Sequence, residues 1–152
     1  MMSGIRARNT RPEMRLRREL HALGFRFRLH AKDLPGKPDL VLKKHNAAIF
    51  VHGCFWHRHR DCRLASTPAS HREFWGDKFA KNVERDRQAM EALRAMDWRV
   101  AIIWECGLRP KHISELIDTL SFWVLSTEPQ LELPNDKVLQ RRSGNGKNQD
   151  WN

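Results

Sequence analysis

The chain has 152 residues, with 28 Lys and Arg against 18 Asp and Glu, and 40% of its residues are hydrophobic. That length supports one packed core, and that hydrophobic content excludes disorder over most of the chain. The formal charge of +10 points to a polyanion, nucleic acid before an anionic membrane surface, and no apolar run approaches the ~20 residues that span a bilayer.

Residues 1–32 hold nine of the basic side chains and only two acids, Glu13 and Glu19. "RPEMRLRRELHAL" (11–23) predicts a helix with Met14, Leu16, Leu20 and Leu23 as its apolar members and Gly24 as its stop. "FRFRLH" (25–30) alternates as a half-buried strand does, and "LPGKPD" (34–39) is a turn feeding a short strand at Leu40–Leu42. "AAIFV" (47–51) is apolar throughout, as in a central strand covered on both faces.

After a polar loop come a long helix from about Phe74 to Met96, a buried strand at 98–104, and a helix at 111–124. That last helix carries Ile113, Leu116, Ile117, Leu120 and Trp123 on one stripe. The order predicts an α/β fold with a small central mixed β-sheet flanked by helices. A single domain is expected over 1–128, followed by a polar, disordered tail over 129–152.

The chemistry concentrates in "VHGCFWHRHRDC" (51–62). Three cysteines cannot all pair, and the N-terminus has no apolar signal block, so a cytoplasmic protein using its thiols for metal is expected. Cys54, His59, Cys62 and Cys106 make a Cys3His set of the kind that holds structural zinc; the alternative leaves Cys106 as a small core residue. His52 and His57 are then spare, and imidazole suits acid–base work near neutrality. Asp86 lies on the apolar stripe of the long helix with Phe79, Val83, Met90 and Leu93. A carboxylate there either pairs with an N-terminal cation or orients one of the spare histidines or a metal-bound water. Glu13 and Asp39 have ordinary explanations, a helix-dipole position and a turn, but with Asp86 they would offer hard oxygens to Mg2+.

"PGKPDLV" (35–41), "VHGCFWHRH" (51–59), "REFW" (72–75), "KNVERDR" (81–87) and "WRVAIIWEC" (98–106) together resemble the very-short-patch repair (Vsr) endonucleases. Those enzymes nick DNA on the 5′ side of the T in a T:G mismatch left by deamination of 5-methylcytosine, and their fold is similar to type II restriction endonucleases. The resemblance implies Asp39, with the carbonyl of Val51, as the Mg2+ site. It implies His52 and His57 as catalytic histidines, Asp86 as their carboxylate partner, Glu13 as a supporting glutamate, and Cys54, His59, Cys62 and Cys106 as zinc ligands.

By the same resemblance Phe55, Trp56 and Trp75 wedge into the duplex, although core packing beside Phe74 remains open for Trp75. Lys78, Arg8 and Arg11 join them as DNA contacts. A bacterial, nucleoid-associated monomer acting on double-stranded DNA, with a mismatch-repair scaffold of the MutL type as partner, is the corresponding expectation. Two alternatives stay open: a restriction-type endonuclease of the same fold acting on intact duplex, and a zinc-bearing DNA-binding module without catalysis.

Overall fold

A computed structural model describes residues 9–135. Arg8 and positions 136–152, most of the expected tail, lie outside the described residues. Helix α1 (Arg11–Ala22) starts at Thr10, whose hydroxyl accepts the Glu13 N–H at 3.3 Å, with a proline in its first turn. It ends where Gly24 takes φ +91°, a conformation that costs a residue without Cβ almost nothing. Leu16 and Leu20 are fully buried, whereas Leu23, expected on the same stripe, falls beyond the last turn and is exposed.

The sheet has the order β1 (Arg28–Leu29), β2 (Leu40–Leu42), β3 (Ala47–His52), β4 (Arg99–Trp104), β5 (Gln130–Leu133). The first two pairings are antiparallel and the last two parallel, so the sheet is mixed as expected. The strand expected at 25–30 shrinks to two paired residues because Phe25 and Phe27 turn to pack against the core instead. The domain also runs past residue 128. Although Gln130 and Glu132 are exposed, Leu133 is buried and the strand pairs with β4, so the fold closes on a segment too short and too polar to read as a strand.

Alternation along β3 and β4 divides the core. Ala47, Ile49, Ala101 and Ile103 meet Leu16 and Leu20 of α1 and Leu116, Ile117, Leu120, Trp123 and Val124 of α3 (Ile113–Leu125). Ala48, Phe50, Val100, Ile102 and Trp104 form the other face with Leu93 and Met90 of α2 (Arg72–Ala95). Each fully buried leucine contributes about 2–3 kcal/mol of transfer free energy, so both faces are strongly fixed. α2 departs from its expected stripe at Val83, which is 45% exposed. The middle of this helix borders a cleft through Lys78, Arg85 and Asp86 rather than the core.

Candidate active site

Parallel pairing sets His52 opposite Trp104. Cys54 and Cys106 therefore lie at the same two-residue offset beyond the ends of neighbouring strands, and a loop brings His59 and Cys62 to them. The His59 Nδ1 is 3.6 Å from the Cys54 Sγ and 3.5 Å from the Cys106 Sγ. All four ligand atoms lie within 4.8 Å of one another. A tetrahedral zinc with Zn–S about 2.3 Å and Zn–N about 2.0 Å sets ligand atoms roughly 3.6 Å apart, so the set can hold that ion. The neighbouring Cys106 thiol, then burial, hold the Cys54 thiol in its protonated form, and burial pushes the Cys62 thiol up. A cation at the centre of this cluster would reverse that preference for Cys54 and Cys62, because a metal binds the thiolate. The Cys54 N–H donates to Glu105 at 2.9 Å, which fixes the start of the loop, and Trp104 stacks on His59 at 4.3 Å.

Beside the knuckle lies a cleft of about 990 Å3, at the C-terminal ends of β3 and β4, where open α/β sheets place their ligands. His52, the last residue of β3, is buried and stacked on His57, with ring centroids 3.9 Å apart and planes 6° from parallel. Burial, then the neighbouring His57, hold His52 well below the usual histidine range, so it is neutral. The His57 Nδ1 meets the Asp86 Oδ2 at 2.6 Å. Asp86 thus pairs with a histidine rather than with an N-terminal cation, and the ring's Nε2 remains for other work.

Asp39 opens β2, directly behind a turn built around Gly36 at φ +74°. A Cβ on Gly36 would come within 2.6 Å of the Ala89 Cβ on α2 and 3.1 Å of the Phe50 ring, so only glycine lets the turn close against both. The Asp39 Oδ2 accepts the Val51 N–H at 2.7 Å, and no protein donor reaches its Oδ1 among the described residues. Burial pushes the Asp39 carboxyl up to about 7; the Val51 hydrogen bond opposes this and the Glu13 charge adds to it.

Glu13 is only 1% exposed. Its carboxylate takes the Asn9 N–H at 3.1 Å, the His30 Nε2 at 2.6 Å and an ion pair from Arg17. Glu13, His30 and Asp39 place ligand atoms within 4.8 Å of one another, and this oxygen-rich set can hold a divalent cation.

Next to the histidines, Phe55, Trp56, Trp75 and Phe79 form one aromatic cluster with centroids 4.9–5.9 Å apart. Trp75 is half-buried inside it, whereas Phe74 is 58% exposed. Lys78 lines the cleft together with Lys32, Lys37 and Arg85. Arg11 is exposed, but Arg17 is turned inward to Glu13 and Arg15 to the Leu108 carbonyl at 3.4 Å, so the N-terminal arginines are not all free for phosphates.

The cleft thus gathers Glu13, Asp39, Val51, His52, Phe55, Trp56, His57, Lys78 and Asp86, drawn from α1, β2, β3, the knuckle and α2. The sequence did not single out His30, Arg17, Arg58 or Glu105. The available signal for His30 was that a strand at 25–30 antiparallel to β2 sets it opposite Asp39, and its N–H does donate to the Asp39 carbonyl at 3.0 Å.

Residues 1–64 match the family model for DNA mismatch endonuclease Vsr. The chain is 48% identical to the type II nicking enzyme V.XorIIP of Xanthomonas oryzae, over 71% of this chain and 79% of that one. It belongs to the Vsr family of DNA mismatch endonucleases. The DNA mismatch endonuclease Vsr of Escherichia coli is 43% identical over 81% of this chain and 80% of its own. The fold of this Vsr-family chain also resembles the catalytic domain of the homing endonuclease I-Bth0305I, with a TM-score of 0.53 at 21% identity over 78% of this chain and all of that domain. Membership of that family makes the chain an endonuclease, a hydrolase of phosphodiesters. Among the described residues, no helix of this Vsr-family chain is long and apolar enough to cross a membrane.

Proposed function

We propose that the protein nicks one strand of double-stranded DNA on the 5′ side of the T in a T:G mismatch, the product of 5-methylcytosine deamination, and so starts very-short-patch repair. The observation that carries this reading is a single cleft in which a carboxylate site, a His–Asp pair and an aromatic cluster meet.

Hydrolysis of a phosphodiester needs an activated water, neutralised phosphate oxygens and a proton for the leaving oxygen. Asp39, with the Val51 carbonyl and Glu13 beside it, would hold Mg2+, which would supply charge neutralisation and a more acidic water. Asp86 fixes the ring of His57 through Nδ1, so Nε2 is the atom that holds or delivers the proton in the cleft. His52, buried and neutral, keeps the stacked ring of His57 in place. Glu13, gripped by Arg17, His30 and the Asn9 N–H, is held in a fixed position beside Asp39. Lys78 and Arg11 hold phosphates without reading sequence.

Phe55, Trp56 and Trp75 press on a base step, and unstacking costs least at a mismatch already weakened. Zinc on Cys54, His59, Cys62 and Cys106 is structural, and the protein works as a monomer in the bacterial cytoplasm on nucleoid DNA, with a MutL-type scaffold as its partner in repair.

The test is nicking of T:G, T:T and fully paired duplexes with and without Mg2+. Cutting only T:G, and only with the cation, is expected. Equal cutting of the paired duplex would mark a restriction-type endonuclease of the same fold instead.

A further inference from the structure

Residues 53–71, between β3 and α2, contain neither helix nor strand, yet they carry the aromatics Phe55 and Trp56. Other bonds that hold that stretch each tie one point to one other: the Cys54 N–H to Glu105 at 2.9 Å, the His57 Nδ1 to Asp86 at 2.6 Å, the His57 N–H to the Gly53 carbonyl at 3.1 Å, the His59 N–H to the Cys54 carbonyl at 3.1 Å, the Ala65 N–H to the Cys62 carbonyl at 3.0 Å, and the Asn82 side chain to the Trp56 carbonyl at 3.4 Å. Arg58 is the exception. Its backbone takes the left-handed φ of +57°, and its side chain turns back under the loop. Nη1 donates to the carbonyls of Phe55 at 3.2 Å and Ser66 at 2.9 Å. Nη2 donates to the Ala65 carbonyl at 2.9 Å and the Thr67 hydroxyl at 3.0 Å. The guanidinium lies 4.0 Å from the centroid of the Phe79 ring on α2 and 5.7 Å from that of Phe55.

A planar fork that fills four acceptors and stacks on a buried ring is not free to neutralise a phosphate, and an ammonium does not reproduce it. We infer that Arg58 is a specificity-positioning residue: it ties the Phe55–Trp56 turn to the far side of the loop and to α2, so that these rings meet the duplex preset rather than ordering on contact. Rings on a slack loop can swing aside at a paired step and so avoid the cost of unstacking it, whereas rings held in place must unstack whatever step they meet, and that costs least at a mismatch. A preset wedge spends its contact energy only where the base step yields. This inference rests on the mismatch-nicking reading above and assigns to that activity a residue that touches no substrate.

Arg58→Lys keeps the charge and removes the fork. It should lower the ratio of T:G to paired nicking by about 5–10-fold, the scale of one net hydrogen bond, while zinc content and the salt dependence of binding stay at wild-type values. Thr67→Val, which removes one acceptor and leaves the arginine, should move the ratio the same way by about twofold, and decides the matter if Arg58→Lys does not fold.

Wild type and Trp56→Ala are measured alongside. If Trp56→Ala loses discrimination while Arg58→Lys and Thr67→Val keep it, Arg58 has no such role and the mismatch reading stands. If wild type itself does not discriminate, the mismatch reading fails and takes this role with it. Loss of zinc in Arg58→Lys would place the residue with the knuckle. Equal loss of affinity for both duplexes with a shallower salt slope would make Arg58 a phosphate contact, and either result overturns the inference.

Discussion

Two clusters that could hold a metal ion draw on the stretch from Val51 to Cys62, and they differ in nearly every respect. The knuckle offers three thiols and one imidazole, two of the four residues buried, with all four ligand atoms within 4.8 Å of one another. The cleft offers carboxylates and an imidazole, with the Asp39 Oδ1 free of protein donors among the described residues. Soft donors in a closed set bind zinc tightly and do no chemistry, whereas hard donors beside an open space bind a cation weakly and leave room for substrate. Neighbouring residues on one short segment divide the two tasks: His52 and His57 face the cleft, and Cys54 and His59 face the knuckle. Rigidity in the first site thus supports preorganisation in the second.

The largest expected effects separate the sites completely. Asp39→Asn and His57→Ala should each lower nicking by about a hundredfold or more with zinc content unchanged by elemental analysis; loss of zinc in either would show the two arrangements to be one. Asp86→Asn should fall in the same range, because an amide misorients the ring.

Cys106→Ser attacks from the other side. Zinc content and thermal stability should drop together, since a structural zinc contributes folding free energy outright, and activity should follow stability rather than precede it. Activity lost with stability intact would break the comparison.

A more discriminating experiment uses pH. The folded-state value of Asp39, about 7, lies above the ordinary carboxylate value, so the native state binds the extra proton. In cation-free protein, its contribution to stability is full below about pH 4 and is lost as pH rises toward about 7. Asp39→Asn should flatten that part of the melting-temperature profile. Divalent-cation affinity in the wild type should rise with pH up to about 7 and then level, because binding displaces the proton. A pH-independent affinity in calorimetric titration would remove Asp39 from the cation site.

The smallest effect is expected at the rim: Arg11→Ala should weaken binding to matched and mismatched duplex alike by a few-fold and lower the salt slope by about one unit.

Much of this was legible in the residues, but only where one property decides the outcome. β3, β4 and α3 announced themselves because both sheet faces and one helix stripe are continuously apolar. The Cys54, His59, Cys62 and Cys106 cluster did so because three cysteines with no partners admit few uses. Asp86 stood out as a charge on an apolar stripe, yet the stripe itself broke at Val83, because the helix borders open space there.

What the sequence did not disclose depended on register and on side-chain reach. His30 meets Asp39 only through the β1–β2 pairing. Arg17 and Arg58 look like any other members of a basic surface until their partners are known. β5 carries one buried leucine in a polar segment, too little signal for a strand whose hydrogen bonds come from β4.

The register of β3 against β4 has a consequence for how this architecture tolerates insertions and deletions. With His52 opposite Trp104, the Cys54 and Cys106 thiols are each tied to their strand by the same short lever. Adding or deleting a single residue within either lever would swing one sulfur to the wrong side of the sheet end. In the arc from Cys54 to Cys62, Trp56, His57 and Arg58 are tied to Asn82, Asp86 and residues 65–67, so only the stretch after His59 can lengthen or shorten by looping outward. Permissible length variation is therefore confined to that stretch, and an inserted epitope or fluorophore tag belongs between His59 and Cys62, where Arg60 and Asp61 face solvent.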